Sequence, residues 1–241
     1  MRLNVTVKFL EKNPKIRPDY PRVISKYTKK SLSLSSPEMY NYYYLEEKRA
    51  LKPFTFSIKA NLELQDNYFL VKSDILTIHY SFLDPAICLY VYNGILSSKN
   101  SPQIFEGVNH TISDISLKKN PVFNSNEVVF KTVSPIIVRK FNHESRKCIG
   151  FLGYKDREFI EGLITNIKIL ARKFLNTEIE SRLITIDILK MKSTFLKNYG
   201  GEIGNTGILK ITAPIEIIKL IYFAGIGAKR SQGFGMLEVV G

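Results

Sequence analysis

Leu3, Val5, Val7 and Phe9 alternate with Asn4, Thr6 and Lys8, the period of two that buries one face of a β-strand. Pro21 then opens a helical segment with Val23, Ile24 and Tyr27 on one side and Lys26, Lys29 and Lys30 beside it, since proline suits a first helical turn. Ser31 to Pro37 predicts a break, and strand character returns at Phe54-Thr55-Phe56-Ser57-Ile58. Two strands are expected between Leu62 and Phe82 around Gln65-Asp66-Asn67; the second puts Leu76, Ile78, Tyr80 and Phe82 on one face and His79 on the other. Asp84 to Leu96, with Pro85 near its start, suits either a helix or a buried strand. Ile112, Ile115 and Leu117 begin another extended stretch, closed by the turn Lys118-Lys119-Asn120-Pro121.

The second half repeats this order. Val128 to Val138 reads as a strand in which Pro135 marks a bulge or an edge. Phe159, Leu163, Ile167, Leu170 and Phe174 recur at three- and four-residue steps, the amphipathic helix pattern. Ile184, Ile186 and Ile188 alternate into a strand, as do Ile208 and Ile211 after the turn-rich stretch from Gly200 to Gly207. Pro214 starts and Gly225 stops a last helix, Ile215 to Ala224, and Met236 to Val240 closes as a strand. Twice over, the order is strand, helix, strand, strand, helix, strand, which is the split βαβ arrangement. The expected class is α+β with two tandem ferredoxin-like (RRM-like) domains, 1–121 and 122–241.

Composition adds a charge imbalance to this picture. Lys and Arg outnumber Asp and Glu by 35 to 22, a formal net charge of +13. Such an excess favours a polyanionic partner, nucleic acid above all; the competing reading is the Lys-, Ile- and Asn-rich bias of an AT-rich genome. Cys88 and Cys148 are too few for a disulfide framework, and no Cys/His spacing suggests a metal site. A reducing cytoplasm is the expected compartment. The start alternates instead of running apolar, and the most apolar tract, Ile215 to Ala228, is too short to span a bilayer, so no membrane partner is expected.

Chemistry concentrates in three places. Gly225-Ile226-Gly227-Ala228-Lys229-Arg230-Ser231-Gln232-Gly233-Phe234-Gly235 could bring backbone N–H groups and the polar tip Lys229, Arg230, Ser231, Gln232 close to a phosphate; its plainer reading is a turn. Its glycine spacing fits neither a dinucleotide fingerprint nor a Walker loop. The run Met39-Tyr40-Asn41-Tyr42-Tyr43-Tyr44-Leu45-Glu46-Glu47-Lys48-Arg49 offers either a base-stacking platform or a packed core with hydroxyls at its rim. Arg139, Lys140, Arg146 and Lys147 surround His143, either a secondary binding patch or a solvated charge run.

The glycine run and the apolar helix before it resemble the C-terminal signature of the CRISPR-associated endoribonucleases that cut precursor repeat RNA, members of the repeat-associated superfamily of tandem ferredoxin-like folds. Lys52-Pro53-Phe54-Thr55-Phe56-Ser57, Thr132-Val133-Ser134-Pro135-Ile136 and the first strand are similar to that family in the same order. The resemblance implies a CRISPR repeat RNA as partner and cleavage without metal or other cofactor: the 2′-hydroxyl attacks the scissile phosphate, leaving a 2′,3′-cyclic phosphate and a 5′-hydroxyl. Other CRISPR effector subunits, or a second copy of the chain, are further partners it suggests. Family members commonly use a histidine before the Phe-Thr-Phe-Ser strand, a lysine beside it and sometimes a tyrosine in the first helix. Here no histidine precedes His79; Tyr43, Tyr44 and Glu46 occupy that neighbourhood, Lys52 matches the lysine and Tyr27 the helix tyrosine. The catalytic candidates are therefore Lys52, Tyr27, Tyr43 and Glu46. RNA contacts are expected from Lys29, Lys30, Arg139, Lys140, Arg146, Lys147, Gly227, Lys229, Arg230, Ser231 and Gln232. The missing histidine supports an alternative, a repeat RNA-binding subunit with weak or no cleavage.

Overall fold

The computed structural model describes residues 1–46, 50–99, 101–105, 107–142, 144–145, 147–196 and 201–240. They form two compact units, Met1–Lys52 with Phe56–Asn120, and Pro53–Thr55 with Pro121–Gly241. In chain order the first holds β1 (Arg2–Phe9), β2 (Lys15–Ile16), α1 (Tyr20–Ser35), α2 (Pro37–Asn41), a π-helical turn (Tyr42–Glu46), most of β3 (Phe54–Lys59), β4 (Leu62–Gln65), β5 (Tyr68–Val71), β6 (Ile75–Phe82), α3 (Pro85–Leu96), β7 (Gln103–Phe105) and β8 (Val108–Lys118). Its main sheet runs β3-β6-β1-β8-β7. β1 is central because Leu3, Val5, Val7 and Phe9 are all but fully buried, with partners on β6 that are apolar or Tyr80 in an antiparallel register such as Val5↔Ile78.

α1 and α3 pack closely where Gly94 meets Ser31: a Cβ on Gly94 would lie 2.0 Å from the Ser31 carbonyl oxygen. Asp84 caps α3 by accepting from the Ala86 N–H at 2.8 Å, and Pro85 fills the first turn, which resolves the helix-or-strand ambiguity of this segment. The serine stretch after Lys30 does not end α1 as expected. Ser31 and Ser35 donate to carbonyls one turn back, Tyr27 and Ser31, while Leu32 is fully buried, so side-chain bonding and burial carry the helix through. The predicted strand pair between Leu62 and Phe82 is three strands, because Lys72-Ser73-Asp74 separates β5 from β6. β4 and β5 turn at Asp66, whose φ is 49°, and join β2 in a separate sheet, β2-β5-β4.

The second unit holds β9 (Glu127–Thr132), β10 (Val138–Phe141), β11 (Cys148–Leu152), α4 (Phe159–Leu175), β12 (Thr185–Leu196), β13 (Glu202–Thr212), α5 (Ile215–Ala224) and β14 (Leu237–Val239). Its sheet is ordered β12-β13-β9-β14. In both units the order by position in the repeat is second, third, first, fourth, so the chain is α+β with two ferredoxin-like units. The expected strand over Val128 to Val138 breaks after Thr132: Ile136 bridges to Asn205 and Ile137 to Ala228 before β10 pairs with β11. The turn expected up to Gly207 is strand from Glu202 onward. Gly204 and Gly207 within this strand serve close approach instead of turning: a Cβ on Gly207 would stand 1.9 Å from the Lys190 carbonyl oxygen, at the irregularity of β12 between Ile188 and Lys190.

Candidate nucleic-acid interface

In the first unit the tyrosine run folds as α2 and the π-helical turn, which fans successive side chains in different directions. Tyr43 points inward, 9% exposed, with its ring 4.9 Å from that of Tyr42; burial, aided by Asp84 and Tyr42, pushes its hydroxyl up to about 12. Tyr44 meets two lysines. The Lys29 ammonium lies 5.0 Å from its ring centroid and the Lys52 ammonium 4.8 Å, while Tyr40 packs beside it at 5.5 Å. Burial, with Tyr40 and Tyr43, raises the Tyr44 hydroxyl pKa, so it stays a proton donor at neutral pH. Burial and then the Lys29 charge lower the Lys52 pKa, and Lys52 also donates to the Ala50 carbonyl at 3.2 Å. Two like charges converging on one ring are mutually unfavourable until an anion joins them.

The other catalytic candidates lie elsewhere in this unit. Tyr27 and Lys29 are two residues apart on α1, about 200° around the helix axis. Tyr27 turns to His110, 6.3 Å between ring centres, and its enclosed hydroxyl lies by Ser98 and Gln103, with burial raising its pKa. Glu46 is exposed and lines a shallow depression with Glu38, Met39, Asn41 and Tyr42. Lys30 is exposed on α1. His110 is fully buried, which lowers its pKa, and His79 Nδ1 pairs with Asn4 Oδ1 at 2.7 Å. His143 and Arg146, like Glu47, Lys48 and Arg49, lie outside the described residues.

In the second unit the glycine run wraps on the protein itself. The Gly227 N–H donates to Asn166 Oδ1 at 2.8 Å. Ile226 donates to the Gly235 carbonyl, Gly235 to that of Pro135 and Ala228 to that of Ile137, each at 2.8 or 2.9 Å. Thr55 Oγ1, within the same unit, donates to the Phe234 carbonyl at 2.7 Å. The left-handed φ values of Gly225, Gly227, Gly233 and Gly235, 71° to 90°, and the 1.8 Å from a Gly235 Cβ to the Ile226 carbonyl oxygen explain why glycine is needed. The amide of Gly227, expected to contact RNA, is thus occupied by a protein acceptor, as are those of Ile226, Ala228 and Gly235 in the same run.

The polar tip divides in the same way. Arg230 is buried, donates to the Ala224 carbonyl at 2.9 Å at the end of α5 and lies 6.0 Å from the Phe174 ring centre; burial draws its pKa down to about 10. Lys229 pairs with the buried Glu202 and sits 5.5 Å from the Phe151 ring centre. Gln232 is exposed and Ser231 half-buried. Arg139, Lys140 and Lys147 are exposed on the β10–β11 hairpin, where Phe141 and Ile149 are also more than half exposed; Lys140 pairs with Glu158 at 3.6 Å. The hairpin therefore offers cations beside apolar surface. The approach of Lys29 to Tyr44 was not legible in the sequence; the only signal was that both residues belong to lysine- and tyrosine-rich stretches. Among the described residues no His, Cys, Asp and Glu group could hold a metal ion, and no helix is long and apolar enough to cross a membrane.

Comparison with known proteins places these features in a family. Residues 118–239, just over half of the chain, match the family model described as CRISPR associated protein Cas6, C-terminal. A CRISPR-associated endoribonuclease-like protein Cas6 of Pyrococcus furiosus is 28% identical over 174 residues, 70% of each chain. A Cas6nc protein of Pyrococcus horikoshii, also described as endoribonuclease-like, is 31% identical over 116 residues, 47% of this chain and 48% of the relative. A solved structure described as an RAMP protein binding different RNA substrates has the same fold, with a TM-score of 0.85 at 23% identity and 100% of both chains covered. With the family model spanning the second ferredoxin-like unit and its glycine loop, the chain belongs to the CRISPR-associated Cas6 family.

Proposed function

We propose that this protein binds CRISPR repeat RNA and cuts it without metal by 2′-hydroxyl attack, leaving a 2′,3′-cyclic phosphate and a 5′-hydroxyl. The observation that carries the site is the convergence of Lys29 and Lys52 on Tyr44. In-line attack moves negative charge onto the non-bridging phosphate oxygens and then onto the departing 5′ oxygen. The ammonium groups of Lys29 and Lys52 stabilise the first. The 2′-hydroxyl gives its proton to solvent as its oxygen bonds to phosphorus; the Tyr44 hydroxyl, kept protonated by burial, donates to the 5′ oxygen as the P–O5′ bond breaks and is reprotonated from solvent. Family membership and the RNA-binding description of a structural relative support the substrate class, as does the net charge of +13.

Incubation with the genome's own repeat RNA in EDTA tests this. Site-specific product with a cyclic phosphate end is expected; cleavage only on addition of metal would overturn the chemistry. A second reading is favoured by one feature: no histidine joins the Lys29–Tyr44–Lys52 cluster among the described residues, since His79 pairs with Asn4 and His110 is buried. On that reading the protein holds repeat RNA without cutting it, as a subunit of a ribonucleoprotein. Tight, salt-sensitive binding with no product under any condition would select it.

A further inference from the structure

We infer that α1 is a phosphate track along which the RNA strand continues beyond the Lys29–Tyr44–Lys52 cluster; this rests on the RNA-binding reading above. Arg22, Lys26 and Lys30 are exposed at successive four-residue steps, with Lys29 half-buried beside them. They form one cationic stripe on a helix whose sequence, Tyr20 to Ser35, contains no acidic residue. At about 1.5 Å rise per residue the stripe from Arg22 to Lys30 is about 12 Å long, with one exposed cation at each turn. Lys29 belongs both to the stripe and to the Tyr44 cluster, so the two surfaces are continuous within one unit.

The helix alone gains nothing from this pattern. Like charges at i and i+4, Arg22 with Lys26 and Lys26 with Lys30, repel one another. Arg22 sits in the first turn and no basic residue lies in the last, the reverse of what the helix dipole favours. Asp19 offsets part of this by facing Arg22 at 3.9 Å, although it also holds Arg17 at 3.0 Å. Lys26 and Lys30 meet no carboxylate among the described residues. A stripe that costs local stability is explained by a polyanion laid along it. The one cation per turn suits a single strand's successive phosphates, an arrangement that positions RNA without reading its sequence.

The test measures binding of 2′-O-methylated repeat RNA, which 2′-hydroxyl attack cannot cut, across a salt series. Each single-strand phosphate that a side chain neutralises adds roughly 0.7 to the slope of log affinity against log salt, so combining Arg22→Gln, Lys26→Gln and Lys30→Gln should reduce that slope by about 2. Lys26→Gln and Lys30→Gln alone should each reduce it by about 0.7. The melting temperature of the triple variant should stay level or rise, because repulsion is relieved. An unchanged slope in the single and triple variants, with a steep wild-type slope, overturns the track and leaves the RNA reading standing. A wild-type protein that shows no salt-dependent binding overturns both.

Discussion

Lys52 is placed where burial and the Lys29 ammonium both oppose its charge. Its pKa is therefore lower in the folded chain than in the unfolded one, and between those two values the unfolded state binds more protons. By linkage, stability rises with pH through that window and carries the full penalty below it, at neutral pH. Lys52→Gln should accordingly raise the melting temperature at pH 7, with the gain disappearing as the pH approaches the ordinary lysine range. The same change should cost activity. Lys52→Ala is expected to slow cleavage by about 10²–10³, the scale for loss of one preorganised charge donor, in single-turnover assays; an unaltered rate would remove Lys52 from the chemistry. Tyr44→Phe keeps the ring but loses the hydroxyl, so cleavage should fall while RNA affinity holds, whereas Tyr43→Phe changes a buried residue and should leave the cleavage rate near wild type.

At the scale of elements, the glycine loop is a clasp built from its own hydrogen bonds. Asn166→Ala would leave the Gly227 N–H without its acceptor, a loss of about 1–3 kcal/mol that urea unfolding should read. Gly235→Ala should cost more, because its Cβ would stand 1.8 Å from the Ile226 carbonyl oxygen at a φ of 71°; soluble protein of unchanged stability would contradict the packing described. Several element boundaries were legible from local chemistry: the alternation of β1, the amphipathic period of α4, and Pro214 and Gly225 at the ends of α5. Others were not. The serines of α1 read as a break because their tertiary setting, with Leu32 buried beside them, was invisible locally. Gly204 and Gly207 read as a turn because glycine signals close backbone approach and chain reversal equally well.

For the molecule as a whole, an excess of 13 positive charges predicts RNA affinity dominated by counterion release. If roughly 6–10 single-strand phosphates are neutralised at about 0.7 each, affinity should fall by roughly 300-fold to 10⁴-fold between about 50 and 200 mM salt, measured by filter binding or fluorescence anisotropy. A flat salt response would make the charge a matter of composition alone. What the amino-acid order determined by itself was the doubled strand–helix–strand–strand–helix–strand order, because side-chain periodicity and helix-end chemistry act over a few residues. It also carried the family, through glycines that the backbone requires at positive φ. Only the tertiary structure decided which polar groups are free to act. It turned Tyr27 and Tyr43 inward, closed the glycine loop's amides on Asn166 and neighbouring carbonyls, and brought Lys29 to Tyr44 from another element. Such pairings depend on which residues distant in sequence share a packed surface, and no local pattern encodes that.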